Sequence, residues 1–192
     1  VFQLITGKGS QVGNLFAEHP GIDMVTFTGS TAAGKKVAAR AGDDVKRVIL
    51  ELGGKSPALV LEGADLSVAV KKTLNTVLGN VGQTCSAFTR LIAPRSMKQD
   101  VEDALLERLK VYKVGDPLDP ETTVGPLQSH KQYEKVRKYI QLGLDEGARM
   151  IAGEVPEKDG AYFVQPVIFT EVRNDMQIAQ DEIFGPVLCV IY

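Results

Sequence analysis

The sequence predicts an α/β fold built on a parallel sheet, and three observations carry that reading. The first fifty residues alternate short apolar strands with helices in a βαβαβ rhythm. Such alternation calls for crossover connections between parallel strands. The same strand–helix alternation resumes beyond residue 57, with no internal repeat and no low-complexity tract. At 192 residues the chain has room for one large domain or two small ones.

Taken in order, Val1 to Thr6 reads as a strand and Gln11 to Glu18 as a short helix. Met24-Val25-Thr26-Phe27-Thr28 is a second strand, followed by a helix from Thr31 to Ala41. Lys46-Arg47-Val48-Ile49-Leu50-Glu51-Leu52 is a third. Gly53-Gly54 then breaks the pattern and marks a domain boundary, 1–52 against 53–192. Ala58-Leu59-Val60-Leu61 reads as a strand, and Asp65 suits an N-cap. Leu66, Val70, Leu74, Val77 and Val81 recur at helical spacing, so the helix ends shortly before Cys85 and leaves it on a loop. Arg90 to Ala93 is a strand, and Val101, Leu105, Leu109 and Tyr112 mark a helix. Residues 115 to 125 read as an exposed loop, and Tyr133, Val136, Ile140 and Leu144 as another helix. The stretch from Gly147 to Tyr162 is rich in turn residues. Phe163 to Val172 reads as a strand that Pro166 assigns to an edge or a bulge. Val187 to Tyr192 is an apolar strand without its continuation.

Composition narrows the function classes. A hydrophobic content of 44% and a charged content of 24% are ordinary for a globular chain. The net charge of −2 offers no general attraction to nucleic acid or anionic membranes. Two cysteines, Cys85 and Cys189, are too few for a secreted disulfide framework, although one bridge between them stays open. His19 and His130 come with no further ligand set, so no metal site is expected. No run reaches the length of a membrane span, and the first residues lack a signal peptide's basic flank. A cytoplasmic location is the expectation, and a processed organellar protein would show the same features. The start without methionine and the apolar end read as an internal piece of a longer protein.

Four motifs carry chemistry. Gly82-Gln83-Thr84-Cys85 presents a thiol on a loop. Glu51-Leu52-Gly53-Gly54-Lys55-Ser56-Pro57 presents a carboxylate at the carboxyl end of a strand, where α/β sites gather. A thiolate can attack a carbonyl carbon, and a carboxylate can activate the water that releases the product. Phe27-Thr28-Gly29-Ser30-Thr31-Ala32-Ala33-Gly34-Lys35 starts a helix directly after a strand, which suits a pyrophosphate and equally a simple N-cap. Glu182-Ile183-Phe184-Gly185-Pro186 alone would read as an exposed acid beside a core aromatic. Gly7-Lys8-Gly9-Ser10-Gln11-Val12-Gly13 misses the dinucleotide fingerprint, its third glycine one position late, and reads as a turn and helix start.

In this order, with Glu51 and Cys85 34 positions apart, the four motifs resemble those of the aldehyde dehydrogenase superfamily and span residues 27 to 186. The resemblance implies that family's three-layer, parallel-sheet architecture, with the end of a Rossmann-like NAD(P)-binding domain over 1–52 and a catalytic domain over 53–192. It implies Cys85 as nucleophile and Glu51 as general base. It places Gly29 and Ser30 at the cofactor phosphates, Gly7 near the adenosine and Leu52 beside the cofactor. Glu182 falls to the nicotinamide ribose and Phe184 to the nicotinamide, while Asn80 orders the nucleophile loop. A catalytic Cys85 would have to remain reduced. The implied activity is oxidation of a small-molecule aldehyde to an acid with NAD or NADP, in a homo-oligomeric full-length enzyme with no nucleic-acid or membrane partner. The alternatives are acyl transfer to coenzyme A and a non-catalytic member of the same fold. The residues that read the adenine ribose lie outside this sequence, so NAD and NADP are not separated.

Overall fold

The computed structural model describes residues 1–158 and 161–192. The chain divides into two units, Val1–Gly53 and Gly54–Tyr192. In the first, helix α1 (Gly9–Glu18) precedes strand β1 (Met24–Gly29), helix α2 (Thr31–Asp43) and strand β2 (Arg47–Leu52). The strands pair in parallel from Met24–Arg47 to Gly29–Leu52. A parallel pair needs a crossover, and α2 supplies it. Ser30 caps this helix, its Oγ accepting the Ala33 N–H at 3.3 Å. A Cβ added at Gly34 would lie 2.6 Å from Leu52 Cδ2, so glycine lets α2 settle this closely on β2. Lys46 Nζ donates to the Ala17 and His19 carbonyls at 3.0 and 2.7 Å. A cation thereby meets the negative end of α1.

Val1 to Thr6, read from sequence as a strand, is not one. The described strands of this unit are β1 and β2 alone, so the segment has no ladder to join. Its Val1, Phe2 and Leu4 side chains stand exposed.

The second unit holds a five-stranded sheet in the order β3 (Pro57–Leu59), β4 (Arg90–Ile92), β7 (Val187–Ile191), β6 (Val167–Thr170), β5 (Arg149–Ala152). All neighbours run parallel except β5 and β6. Helices α3 (Leu66–Leu78), α4 (Lys98–Leu109), α5 (His130–Asp145) and the short α6 (Gln177–Gln180) complete it. Asp65 caps α3 through the Ser67 and Val68 N–H groups, and Ser129 caps α5 through that of Gln132.

Adjacent residues of β6 show that helices cover both faces. Thr170 Oγ1 donates to Glu102 of α4 at 2.7 Å. Its neighbour Phe169 points to the opposite face. There it closes on α5, where a Cβ at Gly143 would lie 2.8 Å from the ring. The unit is therefore three-layered, with Leu74, Leu91, Leu105, Ile140, Phe169 and Leu188 among its fully buried core.

Four expectations are corrected here. Val187 to Tyr192 is no unpaired edge, because β7 lies between β4 and β6 and is buried from Val187 to Val190. β6 is likewise interior, and all four of its residues are buried. Pro166 has no N–H to donate, so the ladder starts at Val167, bonded to the Pro186 carbonyl at 2.9 Å. The irregularity expected at Pro166 falls instead in β5, between Met150 and Ala152. β5 itself arises within the stretch read as turns, of which residues 159 and 160 lie outside the described residues.

Candidate active site

Helix α3 stops at Leu78, three residues short of the periodic Val81, and a tight turn over Gly79–Gly82 takes over. Asn80, Val81 and Gly82 all adopt left-handed backbone, with φ of 49°, 59° and 71°. A β-branched residue seldom adopts it, and each such non-glycine position costs about 1–3 kcal/mol. Hydrogen bonds hold the turn. Asn80 Nδ2 donates to the Gln83 carbonyl at 3.0 Å, while Gln83 Nε2 and its backbone N–H both donate to the Asn80 carbonyl. Gln83 Oε1 also accepts the Gln128 N–H at 3.0 Å. A Cβ at Gly82 would meet the Gly185 carbonyl oxygen at 2.1 Å, so the turn lies directly on that backbone.

Cys85 follows on the exposed side of this turn. Behind it, a Cβ at Gly54 would stand 3.2 Å from the Cys85 carbonyl oxygen. Both cysteines are free thiols. Cys189 is buried in β7, its Sγ donating to the Ile178 carbonyl at 3.3 Å. Burial pushes its thiol up, away from the reactive thiolate.

Helix α5 holds the Glu182–Phe184 segment through backbone carbonyls. Gln132 Nε2 donates to Ile183 and Phe184 at 2.9 and 2.8 Å, and Lys135 Nζ donates to Glu182 at 2.7 Å. Burial lowers the Lys135 ammonium, against the upward pull of Glu182 and Asp181. Hydrogen bonds from Gln177 and Tyr139 hold the Asp181 carboxyl below its ordinary value. Burial and that same bond push the Tyr139 hydroxyl up to about 12. Glu182 Oε1 is buried with no hydrogen-bond partner among the described residues. A cleft of about 320 Å³ joins the two segments, lined by Asn80, Gln83, Gln128, Gln132 and Phe184. The structure thus brings the turn that precedes Cys85 against Phe184 and Gly185. The sequence does not single out Gln128, Gln132 or Lys135.

In the first unit, Glu51 lies exposed on β2 opposite Thr28, and Leu52 pairs with Gly29. The carboxylate and the Gly29–Ser30 helix start therefore share the carboxyl end of the parallel pair. The Leu52 side chain lies against Gly34, and Ser30 Oγ is engaged in its cap. A Cβ at Gly29 would meet the Phe27 ring at 2.6 Å, and one at Gly7 would meet Val12 Cγ2 at 2.5 Å, just before α1.

The family model described as Aldehyde dehydrogenase family matches residues 1–192. The chain belongs to the aldehyde dehydrogenase family. A 3-succinoylsemialdehyde-pyridine dehydrogenase from a Pseudomonas species is 47% identical over 194 residues, covering all of this chain and 41% of that protein. AldC of Pseudomonas syringae, solved as a cysteine-to-alanine mutant with NAD+ and octanal, matches with a TM-score of 0.93 at 42% identity. That match covers 97% of this chain and 39% of AldC. A betaine aldehyde dehydrogenase of Staphylococcus aureus in complex with NAD+ gives 0.90 at 36%, covering 97% and 38%. The chain spans about 41% of the length of the curated relatives it matches. These matches bear out the expected α/β, parallel-dominated fold. Among the described residues, no helix is long and apolar enough to cross a membrane.

Proposed function

We propose that the full-length protein oxidises an aldehyde to a carboxylic acid with NAD or NADP, using Cys85 as nucleophile and Glu51 as general base. On this reading the first unit is the end of the NAD(P)-binding domain and the second is the catalytic domain. The observation that carries the proposal is the strained turn over Asn80–Gly82, which packs against Phe184 and Gly185 and leads into an exposed thiol. Strain of this kind persists where surrounding contacts enforce it, and it gathers at functional sites.

The residues present fit a dinucleotide. Glu182 offers a buried, unpartnered carboxylate oxygen to a ribose hydroxyl. The Gly29–Ser30 start of α2 offers amide groups and a helix dipole to phosphate. Bound NAD(P)+ supplies the hydride acceptor. The Cys85 thiolate forms the bond to the aldehyde carbon, and its own backbone N–H helps hold the oxyanion. Once the carbon is at the acyl level, Glu51 takes a proton from water. The hydroxide so generated displaces the Cys85 sulfur and releases the acid.

The test uses the full-length enzyme, a panel of aldehydes, and both NAD+ and NADP+. Cys85→Ala should abolish NAD(P)H production and leave cofactor binding within about twofold, because the thiol acts only in covalent steps. Substantial turnover by Cys85→Ala would overturn the assignment. Product release that requires coenzyme A would replace the hydrolytic second half with acyl transfer.

A further inference from the structure

We propose that Gln83 is a positioning residue for the nucleophile, acting through the turn it closes and through the segment that leads into α5. The proposal rests on the reading of Cys85 as the reactive thiol.

Gln83 stands two residues before Cys85, and both ends of its side-chain amide are engaged. Nε2 donates to the Asn80 carbonyl at 3.2 Å, and Oε1 accepts the Gln128 N–H at 3.0 Å. Its backbone carbonyl takes the Asn80 side chain, so the two amides clasp each other across Val81 and Gly82. Both are held in left-handed backbone, as Asn80 itself is, and a valine does not keep such a conformation unaided. Gln83 therefore stabilises the unfavourable backbone that precedes the thiol.

The second engagement reaches further. Gln128 lies immediately before Ser129, the N-cap of α5. In the first turn of that helix, Gln132 holds the Ile183 and Phe184 carbonyls. The start of α5 thus grips the nucleophile turn through one amide and the Glu182–Phe184 segment through another. Gly82 touches Gly185 directly and closes the same circuit. Through Gln83, the thiol's position is referred to the segment proposed to hold the cofactor.

Gln83→Met in the full-length enzyme keeps the length of the side chain and removes both hydrogen bonds. Three measurements define the test: the pre-steady-state burst of NAD(P)H with propanal, the NAD+ dissociation constant, and the rate of iodoacetamide labelling read on the Cys85 peptide. A burst slower by about 10- to 100-fold is expected, the scale of a small misplacement at a reacting atom. The labelling rate should change in parallel, with NAD+ affinity within about twofold. Asn80→Ala should show the same pattern, and the double variant should lose little more than either alone, because the two residues hold one turn. If the methionine variant does not fold, Gln83→Glu keeps an oxygen for the Gln128 N–H and should show a smaller loss of the same kind. An unchanged burst in whichever variant folds, or a burst that falls only in step with NAD+ affinity, overturns the proposal. Failure of the nucleophile assignment is separate, since it appears as a burst persisting in Cys85→Ala.

Discussion

Replacing Gly82 by alanine probes the closest approach in the candidate site. Gly82 has φ of 71°, and a Cβ there would lie 2.1 Å from the Gly185 oxygen, 2.3 Å from the Gly185 carbon and 2.9 Å from the Pro186 nitrogen. Favourable contacts between heavy atoms sit near 3.5–4.0 Å, so backbone must move. Left-handed backbone costs an alanine about 1–2 kcal/mol, and forced backbone shifts typically add about 1–3. The expected loss is about 2–5 kcal/mol. Gly147→Ala separates the two contributions. Gly147 has φ of 86° with nothing within 4 Å of an added Cβ, so it should lose only the conformational part, about 1–2 kcal/mol.

The chain provides its own probe. It contains no tryptophan, and its five tyrosines, at 112, 133, 139, 162 and 192, all lie in the second unit. Tyrosine emission during urea unfolding therefore follows that unit alone, which matters where two units need not unfold together. Both variants should lower the midpoint at unchanged slope, Gly82→Ala by the larger step. A Gly82→Ala loss no greater than that of Gly147→Ala would refute the close approach to Gly185.

Three further outcomes are expected. Glu51→Gln in the full-length enzyme should give a burst of NAD(P)H, very slow turnover and an acyl adduct on Cys85 by mass spectrometry; slow turnover without that adduct would give Glu51 another role. Lys55 Nζ is buried without a hydrogen-bond partner among the described residues, and burial lowers its pKa from the ordinary 10.5. Between the lowered folded value and 10.5 the unfolded chain binds more protons, so stability should rise with pH across that window and fall as pH drops. Lys55→Met should flatten this slope and stabilise the second unit by about 1 kcal/mol, and a steeper slope or a loss would contradict the account. Tyr139→Phe removes the 2.8 Å bond to Asp181 and should cost about 0.5–1.5 kcal/mol near neutral pH. The depressed Asp181 carboxyl contributes stability above its unfolded pKa that is lost as pH falls through the folded value. The variant should therefore depend less on pH in acid, as urea titrations across pH would show.

Elements whose cause is local were legible in the sequence. Asp65 announces α3, and the Leu66, Val70, Leu74 and Val77 spacing carries it to Leu78. Its end is not legible because Val81 continues the apolar rhythm, while the reciprocal amides of Asn80 and Gln83 hold the backbone out of the helix. Elements whose cause is a distant partner were not legible. β5 has four residues and only β6 beside it. β7 was recognisable as an apolar run, but its central place depends on β4 and β6, which bring their pairing from far along the chain. Val1 to Thr6 fails in the opposite sense, with strand-like residues and no described partner.

The candidate site divides along the same line. Cys85, Glu51, Glu182 and Phe184 stand out because their side chains define motifs. Gln128, Gln132 and Lys135 do not, because of what they bind. Gln132 and Lys135 donate to carbonyls 51, 52 and 47 residues away, and Gln128 offers its backbone N–H to a side chain 45 residues back. A backbone group is the same whatever residue carries it. Such a contact leaves no paired identity in the sequence for a pattern to detect. The two glycines that touch, Gly82 and Gly185, each belong to a motif, yet neither motif reveals that the other is its neighbour. What makes both positions glycine is space. A Cβ at Gly185 would lie 2.4 Å from Val136 Cγ2, and one at Gly82 would enter the Gly185 backbone. The Gly185 backbone is thus held between the Val136 side chain of α5 and the nucleophile turn, so a side chain added at either glycine should displace the turn that leads to Cys85.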